Sequence, residues 1–502
     1  MHGIPQAKVD GLVGKGMGLY DLRRPSVRCL WALAALHTNF NQALGRSTSK
    51  DERRAHHRAL GEEEGNSLTL GADVSFSAYY YLDSDVLSST SAIACFSAAG
   101  VGGNSGQCQI LTLDETTISA GTAVAISALN YDIDHTEVVA LDASNAILCN
   151  MEWEGSNSPG KCRHLSVTGT TISVGAELLF NPGDTQDADP PGQGSQFLAL
   201  AKMDTSRAIL CYSDGARCVH CGSCNLITVD GTSLTKGQQV EITALDTHTS
   251  FNSVARLDSS SAILCFFGSL STGYAVDCIH LTVGGTSGTD LTAGSPVKLL
   301  DLSTHSAVSG GGVPVVAALD SSSAVVCYDK ADFGAGGSNG YQTCNHLTVT
   351  GTTLSAGEDF YHGEADLSGQ TFRTIMPVDA SRAIVCHNDR SLCGTGSTDH
   401  QQCLRCTLLS VDGTSLTTSG TDLVVAGDSV STYWEKPRSL SIVAIDAPNA
   451  LLCYLTWPDG KCAYITIPDG PEAETSGSAG IAGDPHMRGG HGAPVALEPG
   501  VM

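Results

Sequence analysis

Asp320-Ser-Ser-Ser-Ala-Val-Val-Cys327-Tyr, followed after a loop by Cys344-Asn-His-Leu-Thr-Val-Thr-Gly351-Thr-Thr-Leu-Ser-Ala-Gly357, is the phrase that decides the fold. It recurs seven times, at intervals of 54 to 67 residues. The first cysteine of each copy is Cys95, Cys149, Cys211, Cys265, Cys327, Cys386 or Cys453. An internal period of this kind indicates a repeat architecture, in which each copy is one supersecondary unit.

Each copy contains four short stretches with strand character. In the fifth copy they are Val313–Leu319, Ala324–Tyr328, Asn345–Val349 and Thr352–Tyr361. The first two are continuously apolar, which is typical of strands buried on both faces. Turn dipeptides such as Thr350-Gly351 suit two-residue hairpins, because type I′ turns need positive φ at both central positions. Four antiparallel strands repeated seven times predict an all-β, seven-bladed β-propeller.

The two ends of the repeat region predict how the ring closes. The seventh copy stops after its third strand, at Gly470, and lacks an outer strand. A matching stretch opens the repeat region, as Asn66-Ser-Leu-Thr-Leu-Gly-Ala-Asp-Val74. We therefore expect residues 66–77 to complete the blade that carries Cys453, since closure leaves no unpaired strand edge. The predicted domains are a leader over 1–65, the propeller over 66–470 and a disordered linker and tail over 471–502.

The spacing of the 19 cysteines predicts one disulfide in each blade, between the second and third strands. Facing residues on adjacent antiparallel strands lie about 4.5–5.5 Å apart at Cα, which a disulfide accepts. The predicted pairs are Cys95–Cys108, Cys149–Cys162, Cys211–Cys224, Cys265–Cys278, Cys327–Cys344, Cys386–Cys406 and Cys453–Cys462. The extra cysteines are expected to pair as Cys218–Cys221 and Cys393–Cys403. The alternative for these clusters is zinc, whose structural sites need four ligands.

The repeat phrase resembles the Leu-Asp-x-Ser-x-Ala-Val-Val-Cys-Tyr arrays of uncharacterised secreted proteins from microbial eukaryotes, over about residues 66–470. This resemblance implies an extracellular, propeller-like array and no particular chemistry. Near the end of the chain, Gly483-Asp-Pro-His-Met487 resembles the opening of a von Willebrand factor type D domain. The segment is interpreted either as a disordered tail or as part of a longer modular extracellular protein.

Charge and hydropathy exclude some function classes. The formal net charge is -25, and such an acidic surface repels nucleic-acid backbones. No apolar run reaches the roughly 18 residues of a transmembrane helix. The stretch from Cys29 to Leu36 follows three arginines, an order that resembles a signal peptide. We expect an extracellular or cell-surface monomer without a resident cofactor; a bound divalent cation is the alternative.

The predicted ligand surface is the face that carries the second-to-third loops and the loops between blades. Those loops vary in length and chemistry, whereas the opposite face carries short, uniform turns. The aromatic and acidic residues chosen as the ligand site are Trp153, Trp434, Trp457, Tyr131 and Asp132. Exposed aromatic rings beside carboxylates suit sugar stacking combined with hydroxyl recognition. The sequence thus predicts a secreted recognition module for a glycan or a protein.

Four histidines support a rival hypothesis. His135, His248, His305 and His362 are predicted to lie in successive or nearly successive loops between blades, where they are candidate acid–base or metal-binding groups at the channel mouth. They share no fixed spacing to an acid, and no catalytic residue is assigned from them. A polysaccharide hydrolase or lyase is therefore the alternative function, with a structural cell-surface component as the third.

Overall fold

The computed structural model divides the chain into two units, Met1–Glu64 and Gly65–Met502, and every residue that it describes belongs to the second. The described residues are 67–78, 80–100, 103–114, 117–127, 132–153, 158–183, 195–214, 221–242, 248–270, 273–284, 290–301, 313–331, 339–366, 373–389, 403–426, 440–446, 448–456 and 459–468. Over these ranges the protein is all-β, with 33 strands and antiparallel pairing throughout.

The strands form seven blades. Their first strands are β2 (Tyr80–Ser88), β7 (Asp132–Asp142), β11 (Ser195–Lys202), β16 (His248–Asp258), β21 (Val315–Ala318), β26 (Arg373–Asp379) and β31 (Leu440–Asp446). The second strands are β3 (Ser91–Gly100), β8 (Asn145–Trp153), β12 (Arg207–Asp214), β17 (Ser261–Leu270), β22 (Ser323–Ala331), β27 (Arg382–Asp389) and β32 (Asn449–Thr456). The third strands are β4 (Gly103–Asp114), β9 (Gly160–Thr168), β13 (Cys221–Asp230), β18 (Gly273–Gly284), β23 (Asn339–Thr350), β28 (Cys403–Asp412) and β33 (Asp459–Thr466).

The outer strands differ from the prediction in five of the blades, where each is split in two. The split pairs are β5 (Thr117–Ala120) with β6 (Val124–Ala125), β14 (Ser233–Lys236) with β15 (Val240–Glu241), β19 (Asp290–Ala293) with β20 (Val297–Asp301), β24 (Thr353–Ala356) with β25 (Phe360–Asp366), and β29 (Ser415–Thr418) with β30 (Leu423–Ala426). The continuous outer strands are β10 (Thr171–Asn181) and β1 (Thr69–Ser77).

Glycine at the split permits close contact between neighbouring blades. In the fifth blade Gly357 donates its N–H to the carbonyl of His346, and the strand leaves the ladder there. A Cβ added at Gly357 would lie 2.7 Å from the carbonyl oxygen of Thr414 in the sixth blade. Any larger residue therefore needs the two blades to separate, which explains why glycine recurs at the end of the repeat phrase.

The ring is closed, as the sequence predicts. Each first strand contacts the first strand of the next blade, and β31 contacts β2, so these seven strands surround a central channel. The outer strand of the seventh blade is β1, which pairs with β33 from Thr69↔Thr466 to Ser77↔Asp459. Most of the hydrophobic core lies between blades; one cluster, for example, joins Leu141 of blade 2 to Leu210 of blade 3. No described helix has the length and hydrophobicity of a membrane span.

Seven disulfides join the second and third strands, one in each blade. Their Cα atoms lie 4.0 to 4.1 Å apart, slightly closer than the sequence argument assumed. All seven predicted blade pairs are confirmed. Cys221 is also disulfide-bonded, but Cys218 and Cys393 lie outside the described residues, so the two extra pairs stay predictions.

The recurring aspartate of the repeat phrase stabilises its own turn, as its sequence position predicts. In blade 5 the Oδ1 atom of Asp320 accepts hydrogen bonds from the N–H of Ser322 (2.7 Å) and from its hydroxyl (2.9 Å). The first copy has Ser88 in this place, and its hydroxyl accepts the N–H of Thr90 at 3.3 Å. Stabilisation of the turns therefore explains why the face opposite the variable loops carries the same residues in each blade.

Candidate ligand site at the channel mouth

The first strands of blades 1, 2 and 3 carry matching irregularities at the variable-loop face. Each strand begins at that face, since Tyr80 at the start of β2 lies opposite Ser97 near the end of β3. The register then shifts between Tyr80 and Asp83, and it does so again between Asp134 and Glu137. In blade 3 an equivalent shift falls between residues 196 and 199. These are β-bulges, which re-aim side chains and occur often beside functional sites.

An aromatic residue with left-handed backbone lies in each bulge. The φ angles are +48° for Tyr81, +50° for His135 and +52° for Phe197. In many bulges this position is a glycine, because a side chain in the left-handed region costs about 1–2 kcal/mol. These three are the non-glycine residues with positive φ in the described part of the chain. Strain of this kind is typical of binding and active sites.

The three side chains form a continuous aromatic arc across three blades. The ring centroids of Tyr81 and His135 are 5.2 Å apart, and those of His135 and Phe197 are 5.0 Å apart. Burial lowers the pKa of His135 to about 4, so its ring is neutral at physiological pH. The arc therefore presents apolar ring surface rather than positive charge at the channel mouth.

Carboxylates line the channel directly below the arc. Asp83 and Glu137 follow Tyr81 and His135 by two residues, and Asp85 lies two residues further along β2. All three are half-buried. Asp83 and Asp85 each accept a backbone N–H of blade 2, from Val138 at 2.8 Å and Ala140 at 2.7 Å.

Desolvation in the channel controls the protonation of these carboxyl groups. It raises the pKa of Asp83 to about 6, against the opposing effect of the Val138 hydrogen bond. It likewise raises the pKa of Asp85 to about 6, and Lys202 of blade 3 partly offsets this. The pKa of Glu137 is raised well above its usual value by burial and by the charge of Asp83. The channel mouth is thus both aromatic and rich in carboxyl groups that accept or donate hydrogen bonds near neutral pH.

Two residues of the predicted ligand site lie at this same end of blade 2. Asp132 and Trp153 are cross-strand partners at the ends of β7 and β8, three residues from His135 along β7. The side chains of both, and the whole of Tyr131, Trp434 and Trp457, lie outside the described residues. The ligand-site prediction therefore stays a prediction for those five positions.

The candidate histidines do not share one site in the part of the structure that is described. His135 lies in the innermost strand of blade 2, whereas His362 lies in the outer strand of blade 5, so the predicted loop position is wrong for both. His248 begins β16 in blade 4 with its side chain undescribed, and His305 lies outside the described residues. No common acid–base set follows from the two whose side chains are described.

One cluster resembles a metal site in composition only. Three potential ligand atoms lie within 4.8 Å of one another, one each from Cys327, Cys344 and His362. The two cysteines form the blade 5 disulfide, so neither offers the thiolate that metal binding needs. Among the described residues this cluster therefore has no complete ligand set.

The sequence argument missed the channel carboxylates, Tyr81 and Phe197, and it named His135 only as one of four candidate histidines. A signal was present, because the first copy reads Tyr81-Leu-Asp83-Ser-Asp85-Val where the fifth reads Val313-Pro-Val315-Val-Ala317-Ala. Charge in the innermost strand of a repeat that is otherwise apolar there marks a specialised blade. The arc is also periodic, since Tyr81, His135 and Phe197 each precede the first blade cysteine by 14 residues.

The fold and this site define a disulfide-linked, seven-bladed β-propeller with an acidic, aromatic channel mouth. No protein-family model and no curated protein matches the chain. Among solved structures, the GH93 α-L-arabinofuranosidase of Fusarium graminearum is 10% identical, with a TM-score of 0.42 over 79% of this chain and 98% of that one. The NanB sialidase of Streptococcus pneumoniae is 9% identical, with a TM-score of 0.40 over 80% and 70%. Sqt1 of Chaetomium thermophilum is 7% identical, with a TM-score of 0.41 over 80% and 100%. The fold is assigned from the strand order and from the contacts between blades around the ring, and not from these similarities.

Proposed function

We propose that this protein is a secreted or cell-surface recognition module that binds a glycan at the channel mouth of blades 1 to 3. The observation that carries the proposal is the arc of Tyr81, His135 and Phe197, held in left-handed backbone above carboxyl groups. Aromatic ring surface packs against the C–H faces of a sugar, and carboxyl groups bond to its hydroxyls. A glycan combines both requirements in one ligand.

The disulfides support the extracellular part of this proposal. Seven described disulfides need an oxidising compartment in which to form and persist. The strongly acidic composition supports solubility outside the cell and argues against nucleic acid as the ligand. An extracellular or cell-surface protein whose ligand is a glycan agrees with both features; a protein ligand on the same face is the other partner class.

The test is a glycan array followed by titration calorimetry with the full chain. Tyr81→Asn and Phe197→Asn remove a ring while keeping a residue type that tolerates left-handed backbone. Each should weaken binding of an array hit by about 5- to 100-fold, on the scale of a stacked aromatic contact. Tyr361→Asn is the matched control, because Tyr361 is exposed on the outer strand of blade 5. If wild type and both arc variants bind with equal affinity, the arc is not the ligand site.

The three loop tryptophans are tested in the same assay. Trp153→Ala, Trp434→Ala and Trp457→Ala should each weaken binding without unfolding the ring, if these residues extend the arc along the variable loops. Destabilisation with unchanged affinity would instead assign them to the cores of their loops.

A polysaccharide hydrolase is the second candidate, and one observation favours it. Asp83 and Asp85 both have pKa values near 6, so one neutral and one ionised carboxyl can coexist in the channel, as acid–base hydrolysis requires. Both side chains also accept hydrogen bonds from backbone N–H groups of blade 2, so they have a structural role as well. Product analysis of each array hit distinguishes the two functions: an intact glycan supports recognition, and shortened products support hydrolysis.

A further inference from the structure

The seam between blades 5 and 6 differs from other seams of the ring. Between blades 7 and 1, Phe76 packs against Phe96 with ring centroids 5.1 Å apart. Between blades 2 and 3, Phe180 packs against Tyr212 at 4.9 Å. The corresponding place between blades 5 and 6 holds two histidines, His362 and His387, at 5.3 Å. Imidazole rings therefore occupy the position that phenylalanine and tyrosine rings fill at these two other seams.

Two arginines flank the histidine of blade 6. Arg373, His387 and Arg405 are cross-strand partners on β26, β27 and β28, so their side chains share one face of the blade. His387 is completely buried, and neither of its ring nitrogens has a hydrogen-bond partner among the described residues. A proton on this ring would place a third positive charge between two guanidinium groups.

The nearby carboxylates already have cationic partners. Asp329 of blade 5 is paired with Arg373, and both side chains are 1% exposed. Asp422 of blade 6 is paired with Arg405 and also accepts the hydroxyl of Thr407 at 2.7 Å. Among the described residues, the remaining titratable group that faces His387 is His362, which is itself a base. The described surroundings of His387 therefore provide no anion to stabilise its protonated form.

The seam also has room for the side chains to move. Gln342 lies opposite Gly363 on β23 and β25, is 1% exposed, and has no described partner for either amide atom. The atoms nearest to a Cβ at Gly363 would be nitrogens of Arg405 and His387 at 3.8 Å and a carbon of Gln342 at 4.0 Å, so a methyl group would fit there without a close contact. Buried polar atoms that lack partners weaken an interface, since each costs roughly 1–3 kcal/mol.

We infer that the seam between blades 5 and 6 is an acid-sensitive joint, at which proton uptake by His387 separates the two blades and opens the ring. Burial, His362 and the two arginines hold the pKa of His387 well below its usual value. The seam is thus fully stable above the ordinary histidine pKa of about 6.5, and this stability is lost as pH falls below it. Because opening takes up one proton, the equilibrium constant for closing of the seam falls about tenfold for each unit by which the pH is lowered.

The covalent structure permits such opening. All seven described disulfides lie inside single blades, so none of them bridges the seam. Blades 5 and 6 can therefore part while each keeps its own disulfide. The inference concerns the ring itself and holds whether or not the channel mouth binds a glycan.

The test is hydrogen–deuterium exchange of the full chain at pH 7.5, 6.5 and 5.5, compared with the variant His362→Phe/His387→Phe. The variant rebuilds at this seam the phenylalanine pair of Phe76 and Phe96. Comparing the two proteins at each pH cancels both the intrinsic exchange rates and the titration of the channel carboxylates. In wild type, protection of β25 and β27 should fall about tenfold per pH unit below 6.5 relative to the variant, with little change at the other seams.

Two results would overturn the inference. One is an identical pH dependence of protection at β25 and β27 in wild type and variant. The other is an equal loss at every seam of the wild type, which indicates general acid unfolding. If the double variant does not fold, His387→Tyr replaces it, because blades 3, 5 and 7 carry Tyr212, Tyr328 and Tyr454 at this position; the same two criteria then apply.

Discussion

The carboxylate of Asp83 in blade 1 accepts a 2.8 Å hydrogen bond from the backbone N–H of Val138 in blade 2. Other seams use hydroxyl groups in the same way: Ser253 accepts the N–H of Val316 at 3.1 Å. Innermost strands have exposed backbone edges, and a side chain of the preceding blade satisfies one N–H at these seams. Because a neutral acceptor suffices elsewhere, the charge at the first seam is not needed for the hydrogen bond.

Replacing that charge should stabilise the ring at alkaline pH. Burial raises the pKa of Asp83 from 3.8 to about 6, so the folded state binds its proton more tightly than the unfolded state does. Its contribution is favourable below pH 4 and is lost as pH rises through 6. Asp83→Asn keeps an acceptor oxygen and should raise the free energy of unfolding at pH 8 by on the order of 1–3 kcal/mol, with little effect at pH 4.

Denaturant unfolding between pH 4 and pH 8 measures this difference. Asp290→Asn is the control, because it removes the same charge from an exposed residue of β19 and reports the effect of net charge alone. A loss of stability at pH 8 for Asp83→Asn would show that the charged form is favourable in the seam.

The glycine at the strand break should not tolerate a side chain in blade 5. Gly357→Ala brings a Cβ to 2.7 Å from the carbonyl oxygen of Thr414, so the blades must shift, at a cost of about 1–3 kcal/mol. Gly284→Ala is the matched control, since nothing lies within 4 Å of its Cβ position. Thermal unfolding compares the two, and equal melting temperatures would refute the packing explanation.

The pairing of β1 with β33, which closes the ring, should make its own contribution to stability. Removing residues 66–77 exposes the edge of β33 and the aromatic ring of Phe96, which packs on Phe76. We expect a melting temperature lower by more than about 5 °C, since several kcal/mol of pairing and burial are lost. Adding a peptide of residues 66–77 should restore it, whereas a scrambled peptide should not. Unchanged melting of the truncated protein would contradict the closure.

Peptide mapping without reduction should find the nine predicted disulfides, seven in the blades and two as Cys218–Cys221 and Cys393–Cys403. Removing one blade disulfide, for example by Cys265→Ala/Cys278→Ala, should lower the free energy of unfolding by roughly 2–4 kcal/mol. Links between different blades, or one zinc ion per molecule held by the extra cysteines, would contradict this assignment.

The architecture could be predicted from sequence because its signals are local and repeated. Asp320 stabilises its own turn, Gly351 turns a hairpin at a φ of +62°, and each cysteine meets its partner on the adjacent strand. The break at Gly357 was not predicted, because its cause is a carbonyl of the next blade, at Thr414. Contacts between neighbouring copies are difficult to predict from the sequence of a single copy.

The candidate site depended on such contacts and on backbone conformation. Nothing in the residue type of Tyr81 or Phe197 indicates a left-handed φ, which goes against the preference of aromatic residues. The neutrality of His135 follows from burial in the closed ring. Sequence reasoning chose the variable-loop face and favoured its loops, whereas the described arc and carboxylates lie on the innermost strands.

The antiparallel pairing that closes the ring also determines how the molecule responds to tension. The chain enters the propeller at Thr69 and completes its last strand at Thr466, and these two residues are direct cross-strand partners. Force that pulls the two ends apart therefore acts on one hydrogen bond at a time, in an unzipping direction, rather than on the whole strand in shear. Detachment of β1 is the first mechanical event, while the disulfides keep the second-to-third loops, such as the one between Cys453 and Cys462, from extending. A propeller anchored at both ends thus lengthens at low force in a single early step and resists further extension blade by blade.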